Sequence, residues 1–197
     1  DSFRYVVYAR DLSTNIHEIA SFSPSIKDVK QLKNLGDIHF KGRCGGSINQ
    51  LTAEGSLSAS PGIVNANLNM RFPDGGIPSY EGQLSSPGLD IGRISGNSQL
   101  GNIAFSGKIN GKGFTQKQLK ADLDIHIDRA AVGRYTYQDA DIKAHIADEA
   151  LDGHIKMNDP NLTIPGLSGK VFFGGKGLEG HFSGDIAHAD FGKLHLI

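Results

Sequence analysis

The sequence predicts an all-β fold of antiparallel strands, and three observations carry that reading. The first is alternation. In ADLDIHID (121–128) Ala121, Leu123, Ile125 and Ile127 fall on one side of an extended chain, with Asp122, Asp124, His126 and Asp128 on the other, because successive strand side chains point to opposite faces. The second is glycine, 26 of 197 residues against about 7% in ordinary proteins; the glycines sit between short alternating runs, where turns belong. The third is that helical spacing is confined to one short segment near the start.

The elements follow in order. FRYVVYA (3–9) reads as a first strand. A short helix is expected over about 13–23, with Ile16, Ile19 and Ala20 at helical spacing, Ser13 or Thr14 as N-cap, and Pro24 as its stop. SIKDVKQLKNLG (25–36) stays open between strand and irregular structure. DIHFKG (37–42) is a short strand, and INQLTAEGSLSAS (48–60) supplies one or two more. In IVNANLNMRF (63–72) Ala66, Leu68, Met70 and Phe72 share a face, while Asn65, Asn67, Asn69 and Arg71 take the other. FPDGGIPS (72–79) is a loop. Strands are then read at SYEGQLSS (79–86), LDIGRIS (89–95), NIAFSGKING (102–111), the 121–128 stretch, GRYTYQDADIKAHIAD (133–148), LDGHIKMND (151–159), LTIPGLSGKVFFGG (162–175) and LEGHFSGDIAHADFG (178–192). Tight links between successive strands favour a meander. No linker divides the chain, so residues 1–197 read as one continuous unit. The interrupted alternation at KLHLI marks it as a segment of a longer protein.

Composition narrows the function. The formal net charge is −1 with no Lys/Arg block, which removes the electrostatic footprint of nucleic-acid binding. Cys44 is the single cysteine, so no internal disulfide forms. No apolar run reaches the roughly 18 residues that a membrane-spanning helix needs, and no secretory signal pattern is read.

The motifs that invite chemistry have plainer readings. GKGLEG (175–180) has dinucleotide-fingerprint spacing, but the chain continues as strand where the fingerprint requires a helix N-terminus. GKINGKGF (107–114) lacks the closing Gly-Lys-Ser/Thr of a phosphate loop and reads as a turn. Asp122, Asp124, His126 and Asp128, with Asp141, His145 and His154 on the following strands, offer acid/base or metal-ligand types. Residues on one strand face are spaced along a line at about 6.8 Å, however, whereas a zinc site gathers its ligands at one point. They read as a solvated face whose charges discourage edge-to-edge association. Tyr135 and Tyr137 share a face and read as packing residues. No catalytic residue, metal or cofactor is assigned.

The remaining question is what the apolar face meets. A sandwich or barrel would hide it inside protein; an open trough would need an apolar guest. Periodicity leaves both open. The stretch 111–164 resembles the repeats of TamB-like proteins of the translocation and assembly module, within the wider AsmA-like group. The resemblance rests on Gly111, Gly113 and Phe114, the alternating strand, Tyr135 and Tyr137, the second alternating strand, Leu151 with Gly153, and Asp-Pro-Asn-Leu at 159–162. LDIG and LGNIAFSG within 80–107 are similar in kind, as is 42–57, where Cys44 and Gly45 depart from the family's Gly-Thr pairing.

That resemblance implies a U-shaped β-taco, or β-groove, with an apolar interior. It implies a periplasmic segment of an envelope-spanning protein anchored in the inner membrane by parts not present in this sequence. The role would be non-enzymatic shielding of phospholipid acyl chains, or of nascent outer-membrane protein strands, in outer-membrane biogenesis, with a barrel of the BamA superfamily as partner. The residues implied to line the groove are Ala66, Leu68, Met70, Ile103, Phe105, Leu123, Ile125, Ile127, Ile142, Ala144 and Ile146. The alternatives are a closed β-sandwich or solenoid scaffold that recruits partners by strand addition, and a carbohydrate-active β-helix enzyme with facing carboxyl groups.

Overall fold

Alternation and glycine turns produce a single antiparallel sheet. The computed structural model describes residues 4–15, 18, 34–173 and 179–196. Its strands are β1 (Tyr5–Asn15), β2 (Asp37–Ser47), β3 (Gln50–Ala59), β4 (Gly62–Arg71), β5 (Ser79–Asp90), β6 (Leu100–Lys112), β7 (Lys120–Val132), β8 (Tyr135–Ala147), β9 (Ala150–Asp159), β10 (Leu162–Phe172), β11 (Glu179–Asp185) and the short β12 (His188–Ala189). They form one 12-stranded sheet in which β1 to β11 lie side by side in chain order, and β12 pairs with β10. The sheet does not close on itself, so it is not a barrel. Every pair is antiparallel, which also separates it from a parallel β-helix.

Several local expectations are corrected. Most strands are longer than the short runs read from hydropathy, because glycine and polar residues extend them. Thus β2 continues past Gly42 through Arg43, Cys44, Gly45 and Gly46 to Ser47. The segment expected to turn at 107–114 instead lies largely inside β6, with Gly107 opposite Ile125 and Gly111 opposite Ala121. Only Leu89 and Asp90 of LDIGRIS are strand; Ile91–Ser95 form a helix, α1. Asp90 caps it, accepting from Arg93 N at 2.9 Å, and Gly96 ends it in the left-handed conformation that costs glycine little. Alternation concealed those two caps. Near the N-terminus Ser13 and Thr14 belong to β1. Asn15 accepts a backbone hydrogen bond from Glu18 N at 3.1 Å, as an N-cap does. The rest of the expected 13–23 helix lies outside the described residues.

One end of the sheet is tied together by the turns and by segments laid over them. Asp90 N donates to Pro61 O at 2.8 Å, Gly133 N to Gln99 O at 2.7 Å, and Asp190 N to Asn161 O at 2.9 Å. Leu194 is buried beside this end, and Ile38, Ala104, Ala140 and Ile164 are buried in the first halves of β2, β6, β8 and β10, toward the same end. Asp159 is 2% exposed and fully partnered: its carboxylate accepts from Tyr135 OH at 2.7 Å, Gln138 N at 2.9 Å and Asn161 N at 2.8 Å. Asn161 Nδ2 donates to Tyr135 OH at 2.9 Å. The network ties the start of β8 to the β9–β10 turn, and its hydrogen bond to Asp159 raises the Tyr135 pKa.

Candidate functional site

The register turns strand alternation into continuous rows. Residues directly opposite in neighbouring strands share a face. Leu123 faces Ile109 on one side and Ala144 on the other. Followed outward, that row reads Val7, Cys44, Ala53, Leu68, Gly82, Ile109, Leu123, Ala144, Gly153, Gly169, Phe182 from β1 to β11. The row beside it carries Ala66, Leu84, Ile125, Ile142, Ile155 and Leu167, with glycine at Gly42, Gly55, Gly107 and Gly184. Met70 and Ile146 fall in the row on the other side, through Ala121. Ile127 and Phe105 are directly paired, and Ile103 lies on their face of β6, two residues from Phe105.

The residues predicted to line a groove therefore do share one face. None of these rows contains a charged side chain. From Ala121 to Ile127 the apolar positions span about 20 Å along β7, and eleven strands extend it about 48 Å across. Among the predicted lining residues only Ala144 is buried; the others are half-buried. Both outer ends of the Leu123 row, Val7 and Phe182, are exposed.

The opposite face is polar and zipped. Between β7 and β8 the facing pairs are Asp122–His145 at 2.7 Å, Asp124–Lys143 at 3.5 Å and His126–Asp141 at 2.9 Å. Asp128 also lies 3.6 Å from His126 Nε2. The hydrogen bond to Asp141 raises the His126 pKa, outweighing the opposing effect of burial. On β2–β3, Arg43 donates to Glu54 at 2.7 Å. His154 stands one strand further on, with its Nδ1 at 3.1 Å from Ser168 Oγ. The acid- and histidine-rich residues are thus distributed as cross-strand pairs, and among the described residues no group of three or more His, Cys, Asp or Glu is placed to hold a metal ion. These pairs fix register, since a slip of one residue would send every side chain to the wrong face.

Two open depressions, of about 570 and 590 Å³, lie over this polar face. The first is bordered by Asn69, Glu81, Gln83, Lys108, Asn110 and Asp124. The second is bordered by Glu54, Ser56, Asn65, Asn67, Ser85 and Ser106. Tyr135 and Tyr137 meet edge to face with centroids 4.8 Å apart, as packing residues do. The Asp159 network was not foreseen; the signal was present in the Asp-Pro-Asn turn, whose acid is of the type that accepts from backbone amides two residues on.

No family model, no curated protein and no solved structure matches this chain.

Proposed function

We propose that the sheet curls about its apolar face into a U-shaped groove, and that this face shields lipid acyl chains from water. The observation that carries the reading is the set of uninterrupted apolar rows crossing all eleven side-by-side strands. The rows are not sealed: Leu68, Leu123, Ile125, Ile142 and Ile155 are only half-buried. An apolar area about 20 by 48 Å exceeds the few hundred Å² that solitary soluble domains usually expose, so a guest that removes it from water lowers the free energy. Acyl chains suit an aliphatic lining, because dispersion and burial carry no directional code. The resemblance of 111–164 to TamB-like repeats points the same way. On that reading the segment is non-enzymatic, works in the periplasm of Gram-negative bacteria, and serves outer-membrane biogenesis with a barrel-type partner.

The test is native mass spectrometry of the protein after incubation with phosphatidylethanolamine/phosphatidylglycerol vesicles. Wild type is expected to carry phospholipid. Ile125→Asp, which places a carboxylate in mid-row, is expected to lose at least about tenfold in occupancy, equivalent to 1.4 kcal/mol. Asn67→Asp, on the polar face, is expected to match wild type. Equal occupancy in the two variants, or none in wild type, contradicts the proposal.

A further inference from the structure

The two edges of the sheet are built differently. Among the described residues β1 has no strand on its outer side, and Tyr5, Val6, Val7 and Tyr8 are 37%, 61%, 53% and 75% exposed. Sheet edges are ordinarily guarded by charge, proline or a bulge, because their free N–H and C=O groups are a template for another strand. From Tyr5 to Ala9 β1 has none of these. Its register shift comes only after Ala9, beside Arg10 and Asp11. The other edge, β11, carries Glu179, His181 and Asp185 between glycines.

We propose that β1 pairs with β1 of a second copy of this chain, antiparallel and two-fold symmetric about Val7. A two-fold axis normal to the sheet keeps both faces on their own sides. Val7 then meets Val7 of the second copy, Tyr5 meets Ala9, and Val6 meets Tyr8. The apolar row through Val7, Cys44 and Ala53 runs on across the junction; the charged side chains that face one another are Arg4 and Arg10, both exposed at the two ends of the pairing, so the dimer is expected to tighten as salt screens them. Antiparallel strands alternate in direction, so β1 and β11 run the same way. A head-to-tail contact related by translation would therefore set β1 parallel to the charged β11 and would not close. The isologous pairing preserves the antiparallel pattern and closes at two subunits, the commonest symmetry of soluble oligomers. This inference depends on the edge and not on what covers the apolar face.

The test is light scattering after size exclusion over a range of concentrations, on the 197-residue chain. Wild type is expected to shift with concentration from 21.1 kDa to twice that mass. Val7→Lys and Val7→Glu, each with an unchanged circular dichroism spectrum, are expected to stay monomeric alone, because like charges face each other across the axis. Mixed in equal amounts, the two variants are expected to restore the dimer through one Lys–Glu pair. A wild type that remains monomeric throughout, a Val7→Lys dimer as strong as wild type, or a mixture that stays monomeric overturns the proposal.

Discussion

The apolar face is lined in two ways. Across β2 and β3 its central rows carry Gly42, Cys44, Ala53 and Gly55; across β7, β8 and β9 they carry Leu123, Ile125, Ile142 and Ile155. At the first end, backbone meets backbone with almost nothing standing on the sheet. At the second, branched aliphatic chains supply the oily surface. The first region tolerates no added atoms and the second tolerates few lost ones. A face of one polarity is thus assembled by two kinds of packing, tight approach at one end and side-chain burial at the other.

The largest effect is expected where approach is closest. A Cβ at Gly55 collides with the Lys41 carbonyl oxygen, so Gly55→Val must push β2 from β3 and break ladder hydrogen bonds, costing about 4 kcal/mol. Urea denaturation measures it, and a loss below about 1 kcal/mol would remove the glycine half of the comparison. Next comes Asp159→Ala, which leaves Tyr135 OH and the amides of Gln138 and Asn161 without their acceptor; a loss of about 3 kcal/mol is expected in the same experiment. At the aliphatic end, Ile125→Ala removes half-buried methyl and methylene groups and should cost about 1–2 kcal/mol, below the range of fully buried sites. Gly88→Ala sharpens the contrast, because nothing lies within 4 Å of its added Cβ; its midpoint is expected to match wild type.

The smallest non-zero effect is a pH dependence on the polar face. His126 has a folded pKa raised above 6.5 by its hydrogen bond to Asp141. Its contribution is therefore complete below the unfolded value near 6.5 and is lost as pH rises through the higher folded value. The group is well exposed, so after solvent screening the contribution is at most about 0.5 kcal/mol. Thermal melts of wild type and His126→Gln should converge as pH rises through that interval; a gap that widens instead would mean that the pair does not stabilise the protonated ring.

The same comparison explains what was legible in the sequence. β7 and β4 announce themselves, because Leu123, Ile125 and Ile127, or Ala66, Leu68 and Met70, alternate with acids or asparagines. β2 is hidden past Gly42, because glycine has no hydropathy and occupies positions where its neighbours' backbones come close. Gly107–Gly111 carried two readings for the same reason, strand within 102–111 and turn within 107–114, and the strand is the one observed. α1 was missed for another reason: Ile91 and Ile94 are compatible with a short strand, and only Asp90 and Gly96 mark a helix. The shared face of the candidate lining residues followed from parity alone. Its alignment across eleven strands required the register, which depends on pairs such as His126–Asp141 that hydropathy does not rank.

Cys44 offers the most direct test, since the only thiol in the chain stands in the central apolar row. It is half-buried, and burial pushes its thiol pKa up, so labelling with a charged methanethiosulfonate, which reacts with thiolate and not with amines, is followed at mildly alkaline pH. A short-chain phosphatidylcholine kept monomeric, at ten times its Kd, should slow labelling about tenfold by occupying the row. A labelling rate that the lipid leaves unchanged would contradict the claim that acyl chains cover this face.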